Sequence, residues 1–352
     1  MSVPPLQKGG SRKAPGKPGL LVVELWGMGD LVIATPFLRA AVEKYEVTLL
    51  AKPYARGLQE RLWPGIKIVT FNAPWTAFEH KYQFWRWPLG EMWGLWRHLG
   101  GGRFDYGVSS RWDPRDHAVL KWLGTRQRLG FPRYRSGWFL TQPLPQPEPV
   151  AHRYEYWRVA GQALGLSLPQ RENLPVTRRG PGQPVLVHSG ARLAVRVWPL
   201  ERYLALVQRL RTQGYVVQVV CDLEQVDWWQ KAGETWVVCP RTVEALLAIL
   251  DQAGVFVGND SGPGHLAAMV GLPTFTIFGP QLPEWFAPLH PLAEWVGGKS
   301  CPFKPCSDYC RMPTPECLWN VSAAEVGERV DQFVQKHLSP SVSGPEMPVK
   351  TS

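Results

Sequence analysis

The feature that most constrains this fold is a short apolar run that ends in a small-residue turn and leads into a helical pattern. It occurs at Leu20–Leu25, before the turn Gly27-Met-Gly-Asp30, and again at Val185–His188, before Ser189-Gly190. A strand, a turn and a helix that lead to another short apolar run open a parallel sheet covered by helices. Because this opening occurs twice in 352 residues, we expect an α/β protein with two Rossmann-like domains.

Both halves continue with the same alternation. Further strands are predicted at Val47–Ala51, Ile66–Phe71, Tyr106–Ser109, Arg128–Gly130, Val216–Cys221, Trp236–Cys239, Val255–Val257 and Thr274–Phe278. Helices are predicted at Leu31–Lys44, Arg115–Leu123, Tyr154–Leu164, Leu200–Gln213 and Val243–Ala253, and from Gly264. We therefore divide the chain into a flexible basic tail (1–19), a first domain (20–178), a Gly- and Pro-rich linker (179–184), a second domain (185–337) and a disordered tail (338–352).

The composition excludes several classes of protein. With 45% apolar and 19% charged residues, the chain is neither disordered nor fibrous. No apolar run approaches the roughly 20 residues that a membrane-spanning helix needs. Lys8, Arg12, Lys13 and Lys17 have no apolar stretch behind them, unlike a secretory signal, so we expect the protein to stay in the cytoplasm. Six cysteines are too few for a disulfide scaffold.

The charge is unevenly distributed between the halves. Residues 1–180 hold 26 Lys and Arg against 13 Asp and Glu, whereas residues 181–352 hold 13 against 16. The first half is therefore expected to attract anions, which could be nucleic acid, an anionic lipid surface or a phosphorylated substrate. A basic face that only keeps the protein in solution is the alternative. No nucleic-acid-binding motif accompanies the charge.

The sharpest motif runs from Gly258 to Ala268 and reads Gly-Asn-Asp-Ser-Gly-Pro-Gly-His-Leu-Ala-Ala. It connects a predicted buried strand to a helix. Backbone N–H groups at a helix start are unsatisfied and carry partial positive charge, so this turn can bind a diphosphate without a lysine. The alternative is an ordinary helix start capped by Asp260 or Ser261. His265, in the first turn, is either a ligand or a packed helix residue.

Other turns place polar side chains where strands end. Asp30 follows the first strand and is either a general base facing a cleft or an N-cap. Its turn lacks the full G-x-G-x-x-G spacing, so a dinucleotide site is weakly supported. Arg196 could pair with a phosphate or be a surface cation. Glu224 could hold a ribose or be a solvated acid.

The first half also carries an unusual density of tryptophan. Seven tryptophans lie between positions 63 and 112, interleaved with Lys81, Arg86, Arg97, His98 and Arg103. Trp85, Arg86 and Trp87 are candidates for contact with a membrane or an acceptor. The helical spacing of Leu89, Met92, Trp93 and Trp96 favours core packing for those four side chains. Further arginines are candidates for acceptor phosphates or carboxylates: Arg111, Arg115, Arg133 and Arg135.

Four cysteines form a cluster near the C-terminus: Cys301, Cys306, Cys310 and Cys317. A structural zinc site is one interpretation, although the spacing is not the paired C-x-x-C form. A disulfide and a loop of reduced thiols are the others. No base lies near them in sequence, so a catalytic role is not expected.

Three landmarks together resemble glycosyltransferase family 9, whose best-known members are ADP-heptose:lipopolysaccharide heptosyltransferases. The first is Gly29-Asp30 with Thr35-Pro36-Phe37-Leu38-Arg39, and the second is His188-Ser-Gly190 with Arg196-Val-Trp-Pro199. The third is the motif from Gly258 to Ala268, with Gly271-Leu-Pro273 and Phe278-Gly-Pro280. The resemblance covers about Leu20 to Phe333.

The resemblance implies a GT-B fold, in which two Rossmann-like domains face a cleft, with acceptor on the first and nucleotide sugar on the second. It implies that Asp30 is the general base, beside Gly29 on the acceptor side. It assigns the donor diphosphate and sugar to Arg196, Asp260, Ser261, Gly262, Pro263, Gly264 and His265, and the nucleotide to Ser189, Gly190 and Glu224. Two positions depart from the family: Arg196 replaces a lysine, and Gly264 replaces a larger apolar residue.

The implied function is inverting, metal-independent glycosyl transfer with no cofactor beyond the nucleotide sugar. The favoured version moves heptose from ADP-heptose to an anionic, lipid-linked saccharide of the lipopolysaccharide core. We expect a monomer in peripheral contact with the cytoplasmic face of the inner membrane, and no nucleic acid. The alternatives are another nucleotide sugar for a capsule or O-antigen-type glycan, a sugar-nucleotide epimerase or hydrolase, and a non-catalytic sugar-nucleotide-binding protein.

Overall fold

A computed structural model describes residues 16–77, 83–101, 103–177, 182–299, 301–306 and 309–338. The predictions for most of the basic tail, for Lys81, for half of the linker and for nearly all of the C-terminal tail fall outside these residues.

The first half contains a six-stranded parallel sheet. Its strands are β1 (Gly19–Glu24), β2 (Glu46–Ala51), β3 (Lys67–Thr70), β4 (Tyr106–Val108), β5 (Gln127–Gly130) and β6 (Gln142–Pro143). They lie in the order β3-β2-β1-β4-β5-β6. Leu20 pairs with Val47 on one side and with Tyr106 on the other, which makes β1 a central strand.

The second half repeats this topology. Its strands are β7 (Val185–His188), β8 (Val217–Val220), β9 (Val237–Val238), β10 (Val255–Asn259), β11 (Thr274–Phe278) and β12 (Ala293–Gly297). They lie in the order β12-β11-β10-β7-β8-β9, which is the same winding as in the first sheet. Two Rossmann-like sheets were predicted from the sequence, and that prediction is confirmed.

Helices connect the strands and cover both sheets. They are α1 (Met28–Ile33), α2 (Thr35–Lys44), α3 (Gln59–Leu62), α4 (Leu89–Leu99), α5 (Pro114–Trp122), α6 (Arg153–Ala163), α7 (Leu200–Thr212), α8 (Val226–Lys231), α9 (Val243–Gln252), α10 (Gly262–Met269), α11 (Pro283–Phe286), α12 (Glu316–Trp319) and α13 (Ala323–His337). Within the described residues, no helix combines the length and the apolar character needed to cross a bilayer.

The predicted helix over Leu31–Lys44 is wrong in one respect, because the structure divides it. Ala34 ends α1 and precedes α2, and Pro36 lies in the first turn of α2. Proline is accommodated there because the first N–H groups of a helix have no intrahelical partner. The sequence analysis also missed β12 and α13.

The outer helix α4 corrects the prediction of core packing. Its buried side chains are Leu95 and Leu99, which join Leu21 and Val23 of β1 in one apolar cluster. Met92 packs against this cluster. Leu89, Trp93 and Trp96 remain 68%, 59% and 36% exposed, because they repeat every three to four residues along the opposite face of the helix.

The two halves share an apolar interface. The other face of β1, with Leu20 and Val22, belongs to a cluster that also includes Phe256 and Leu266 of the second half. Helix α1 packs against α10. Two glycines permit this approach: a Cβ on Gly29 would lie 2.6 Å from Cδ2 of His265, and a Cβ on Gly262 would lie 3.0 Å from Met28. The helices that follow β1 and β10 are therefore in contact across the cleft.

Candidate active site

Each sheet has one point where the strand order reverses, between β1 and β4 and between β7 and β10. In open parallel sheets, ligands bind outside the carboxyl ends of the strands at this point. Asp30 and Arg111 follow β1 and β4, and Ser189 and Asp260 follow β7 and β10. The topology therefore brings residues that are distant in sequence to the two walls of one cleft.

Asp30 lies in the first turn of α1 and makes two polar contacts. Its Oδ2 accepts a hydrogen bond from the backbone N–H of Gly27 at 3.1 Å and lies 2.6 Å from Nη2 of Arg111. Both side chains of the ion pair are mostly buried, with 17% and 16% exposed. Both contacts fall on Oδ2 of the carboxylate.

Two further carboxyl groups surround Arg111, and the sequence analysis missed both. Glu24 is the last residue of β1, and Asp116 lies on α5 and accepts hydrogen bonds from the indole N–H groups of Trp26 at 2.9 Å and Trp75 at 3.3 Å. Burial raises the pKa of Glu24 to about 8 and that of Asp116 to about 6. Burial alone would lower the pKa of Arg111, but Asp30, Glu24 and Asp116 raise it above its ordinary value.

Glu24 has a measurable consequence for stability. Its carboxyl is neutral in the folded protein up to a pKa of about 8, whereas the unfolded chain ionises near 4.5. The unfolded state therefore binds fewer protons between these values. The free energy of unfolding is expected to fall, by up to about 1.4 kcal/mol per pH unit, as the pH rises from about 5 to 7.5.

Urea unfolding at several pH values would test this contribution. We expect Glu24→Gln, which keeps the neutral shape, to lose this part of the pH dependence. Glu43→Gln, an exposed change on α2, is the matched control and should behave like wild type. Parallel curves for wild type and Glu24→Gln would contradict the assignment.

Basic side chains also lie near Asp30 on the wall that the first half contributes, and several were not identified from the sequence. Lys52 follows β2, and its pKa is lowered to about 8 by burial and by Arg192. The guanidinium of Arg153 lies 4.0 Å from the ring centroid of Trp112. Burial and the neighbouring Arg111 lower its pKa to about 10. The available signal for Lys52 was its place directly after a strand.

The second wall is built by the start of α10. Ser261 is the N-cap residue, and its hydroxyl is buried without a hydrogen-bond partner among the described residues. Nδ1 of His265 is also buried and unpartnered there. Burial lowers the pKa of His265 to about 4, so the ring is neutral at pH 7. Pro263 has no N–H, and the N–H groups of Gly264 and His265 donate to the carbonyl oxygen of Ser261. The buried hydroxyl of Ser261 beside the N–H of Gly262 is the arrangement that suits an anion here.

Arg196 and Asp260 form an ion pair beside this helix start. Nη1 of Arg196 lies 3.1 Å from Oδ2 of Asp260, and Nε2 of His265 lies 3.9 Å from Oδ1 of the same carboxylate. Asn259, which the sequence analysis did not single out, holds the wall together. Its amide donates to the backbone oxygen of Ser189 at 2.8 Å, and its oxygen accepts from the backbone N–H of Trp198 at 3.0 Å.

The predicted nucleotide residues have different environments. The hydroxyl of Ser189 is used within the protein, because it donates to Gln225 and accepts from Trp229. The assignment of Ser189 to the nucleotide stays a prediction. Gly190 lies against Asp222, where a Cβ would be 2.5 Å from the carboxylate carbon. Glu224 is exposed in the turn Leu223–Gln225.

Among the four predicted acceptor arginines, only Arg111 contacts Asp30. Arg115 pairs with Asp113, the N-cap of its own helix, at 2.6 Å. Arg133 and Arg135 are exposed in the loop that follows β5. That loop lies at the same edge of the sheet as Asp30, since all strands are parallel.

The cysteine cluster contains no disulfide. None of the six cysteines is joined to another, which contradicts the disulfide interpretation. In the part of the chain that the structure describes, no three His, Cys, Asp or Glu side chains are arranged to hold a metal ion. The zinc site and the loop of reduced thiols stay predictions.

Two Rossmann-like sheets facing one cleft define the class of protein as GT-B-like, and comparisons with known proteins agree. Residues 92–314 match the model of glycosyltransferase family 9 (heptosyltransferase). The chain therefore belongs to glycosyltransferase family 9.

The curated relatives share limited sequence identity with this chain. The chain is 28% identical over 168 residues to lipopolysaccharide heptosyltransferase 3 of Escherichia coli, covering 43% of this chain and 46% of that one. Its alignments span less than half the length of the curated relatives that it matches.

Two solved structures share the fold over nearly their whole length. The family 9 glycosyltransferase from Veillonella parvula has a TM-score of 0.72 at 15% identity, covering 91% of this chain and 98% of that one. The E. coli ADP-heptose lipopolysaccharide heptosyltransferase II has a TM-score of 0.66 at 17% identity, covering 90% and 99%. These likenesses establish the fold.

Proposed function

We propose that this protein transfers heptose from ADP-heptose to an anionic, lipid-linked saccharide of the lipopolysaccharide core. Membership of glycosyltransferase family 9 and the names of its relatives support the reaction class. The observation that carries the proposal is the contact of α1 with α10, which places Asp30 and the start of α10 on facing walls. One wall offers a carboxylate and the other an anion site.

On the acceptor wall, Asp30 removes the proton from the attacking hydroxyl. The hydroxyl oxygen bonds to the anomeric carbon as the bond from that carbon to the diphosphate oxygen breaks. Attack from the face opposite the leaving group inverts the anomeric configuration. Arg111 fixes the carboxylate at 2.6 Å and, with Lys52, supplies positive charge for an anionic acceptor.

On the donor wall, negative charge develops on the departing nucleoside diphosphate. The N–H of Gly262 at the start of α10 and the hydroxyl of Ser261 receive it, and Arg196 adds a positive charge nearby. The protein therefore supplies its own charge stabilisation, which supports a reaction without a metal ion. His265 is neutral, so it contributes a polar ring next to Gly29 but no positive charge for the diphosphate.

One feature favours a second donor sugar as an alternative. Gly264 stands where the family resemblance implies a larger apolar residue, and a Cβ there would lie 3.3 Å from the ring of Phe256. Phe256 therefore limits the space that a side chain at 264 could fill. A differently shaped sugar pocket would suit another nucleotide sugar, for a capsule or O-antigen-type glycan.

We further propose that the enzyme works as a monomer at the cytoplasmic face of the inner membrane.

A transfer assay with a lipid-free core oligosaccharide tests this function. ADP-heptose is supplied in the presence of EDTA, with UDP-, GDP- and dTDP-sugars as comparison donors. We expect ADP release that depends on the acceptor and a product whose anomeric configuration is inverted by NMR. Release of ADP without acceptor would indicate hydrolysis, and preference for another donor would select the alternative sugar. No turnover with any donor would contradict the proposal.

A further inference from the structure

The described surface of the first half carries two clusters of exposed aromatic and arginine side chains. The first, here called the α4 cluster, consists of Trp85, Arg86, Leu89, Trp93 and Trp96. Trp85 is 79% exposed, and the rings of Trp93 and Trp96 stack with their centroids 4.9 Å apart. Large apolar side chains grouped on a surface in this way mark an interaction site.

The second cluster, here called the β5 loop, consists of Arg133, Tyr134, Arg135 and Trp138. Tyr134 and Trp138 are 84% and 83% exposed. The guanidinium of Arg133 lies 5.0 Å from the ring centroid of Tyr134. Aromatic rings with a polar edge and arginines beside them are the combination found at membrane–water interfaces.

The topology places the beginning of each cluster at the edge of the sheet that holds Asp30. The segment before α4, with Trp85 and Arg86, follows β3, and the β5 loop follows β5, so both begin at the carboxyl ends of parallel strands. Trp93 and Trp96 continue along α4, which runs back toward the start of β4. In the strand order, β3 and β5 lie on opposite sides of the central pair β1 and β4, so the two segments leave the edge on either side of Asp30.

Packed side chains connect each cluster to the acceptor wall. On one side, Trp87 contacts Trp75 with ring centroids 5.6 Å apart, and Trp75 donates to Asp116. On the other side, Arg133 lies 5.8 Å from the ring centroid of Trp112, the residue after Arg111. Neither cluster is an isolated feature of the surface.

The positive charge of the two segments favours an anionic bilayer over a second copy of this chain as the binding partner. Residues 83–101 and 131–140 hold four arginines, at 86, 97, 133 and 135, and a single acid, Glu91. A second copy of this chain would bring the same positive charge against itself, whereas an anionic bilayer is complementary. Tryptophan and tyrosine settle at the headgroup level, and arginine attracts anionic headgroups.

From these observations we infer that the α4 cluster and the β5 loop together seat the protein on an anionic phospholipid surface, with the acceptor wall facing the bilayer. This inference rests on the proposed function, because a lipid-linked acceptor is the substrate that such an orientation would serve. The ring planes supply apolar contact, and the four arginines supply the attraction.

Vesicle sedimentation tests the surface directly. Wild type is mixed with vesicles of phosphatidylcholine alone or with about a third phosphatidylglycerol. We expect binding only to the anionic vesicles, and a large loss of it at about 0.5 M salt. The double variant Trp93→Ser, Trp138→Ser should bind at least about tenfold more weakly. Trp319→Ser, a 44% exposed tryptophan on α12, is the matched control and should bind like wild type.

Two further readouts separate this inference from the proposed function. Turnover of a lipid-free acceptor should be the same in the double variant and in wild type, because the substitutions lie outside the reacting groups. If wild type turns over the acceptor but binds no vesicles, the inferred membrane-binding surface is wrong and the proposed function still stands. A wild-type dimer that the double variant breaks, with no vesicle binding, would identify a second copy as the occupant and overturn the inference.

Discussion

Replacing Asp30 by asparagine is expected to lower the turnover of sugar transfer by about 10²- to 10⁴-fold, the range that a positioned general base supplies. Asparagine has nearly the same size but cannot take the proton of the acceptor hydroxyl. The proposed donor site lies on the opposite wall, so the Kd for the nucleotide sugar should stay within about twofold of wild type. Steady-state kinetics and calorimetric titration of the donor check the two parts.

Two controls make this result specific. Asp227→Asn changes an exposed aspartate on α8 and should leave turnover unchanged. Thermal unfolding of Asp30→Asn shows whether the loss of the ion pair with Arg111 has disturbed the fold. We expect the fold to persist, because Glu24 and Asp116 remain beside that arginine. Normal turnover in a folded Asp30→Asn protein would remove Asp30 from the chemistry.

Replacing Ser261 by tyrosine is expected to weaken donor binding by at least about 100-fold, which corresponds to about 2.8 kcal/mol. Ser261 is only 8% exposed and is the N-cap residue of α10. There is little free room around it, so we expect a phenol ring at this position to fill the space in front of the helix. That is the space a diphosphate would need in order to reach the N–H groups of the helix start. The Kd for the nucleotide sugar is the quantity to measure.

The size of the substituent separates blocking of the site from loss of the Ser261 hydroxyl. Ser261→Ala removes one hydroxyl and leaves the space open, so binding should weaken by only about tenfold. Ser322→Tyr places the same ring at the N-cap of α13, away from the cleft, and should bind donor normally. Equal affinities for Ser261→Tyr and wild type would place the diphosphate elsewhere.

Much of the fold was predictable because strand and helix periodicities are local. The strand at Thr274–Phe278 has the bounds that its apolar run predicts. The positions of Asp30 and of the Ser261 turn beyond the carboxyl ends of strands were also predictable, since each lies in the turn or helix start that follows a buried strand. Pro36 was the available signal for the division at Ala34, because proline fits the first turn of a helix that starts at 35 but not the interior of one that starts at 28.

The charged surroundings of Asp30 were less predictable. Arg111 reaches Asp30 through the pairing of β1 with β4, and their sequence separation carries no mark of it. Glu24 looks like an ordinary polar residue at the end of an apolar run, and its raised pKa follows only from burial by the rest of the fold. The exposed face of α4 was misassigned because spacing shows that a helix has an apolar face but not which face meets the sheet.

A crystal structure with a non-reactive ADP-sugar would test most directly whether the two walls form one active site. We expect diphosphate oxygens to lie within about 3.5 Å of the N–H of Gly262, at the start of α10, and of the Ser261 hydroxyl. We also expect the anomeric carbon to face the carboxylate of Asp30 across the cleft. A diphosphate bound to Lys52 and Arg153 instead, with the start of α10 unoccupied, would contradict this expectation.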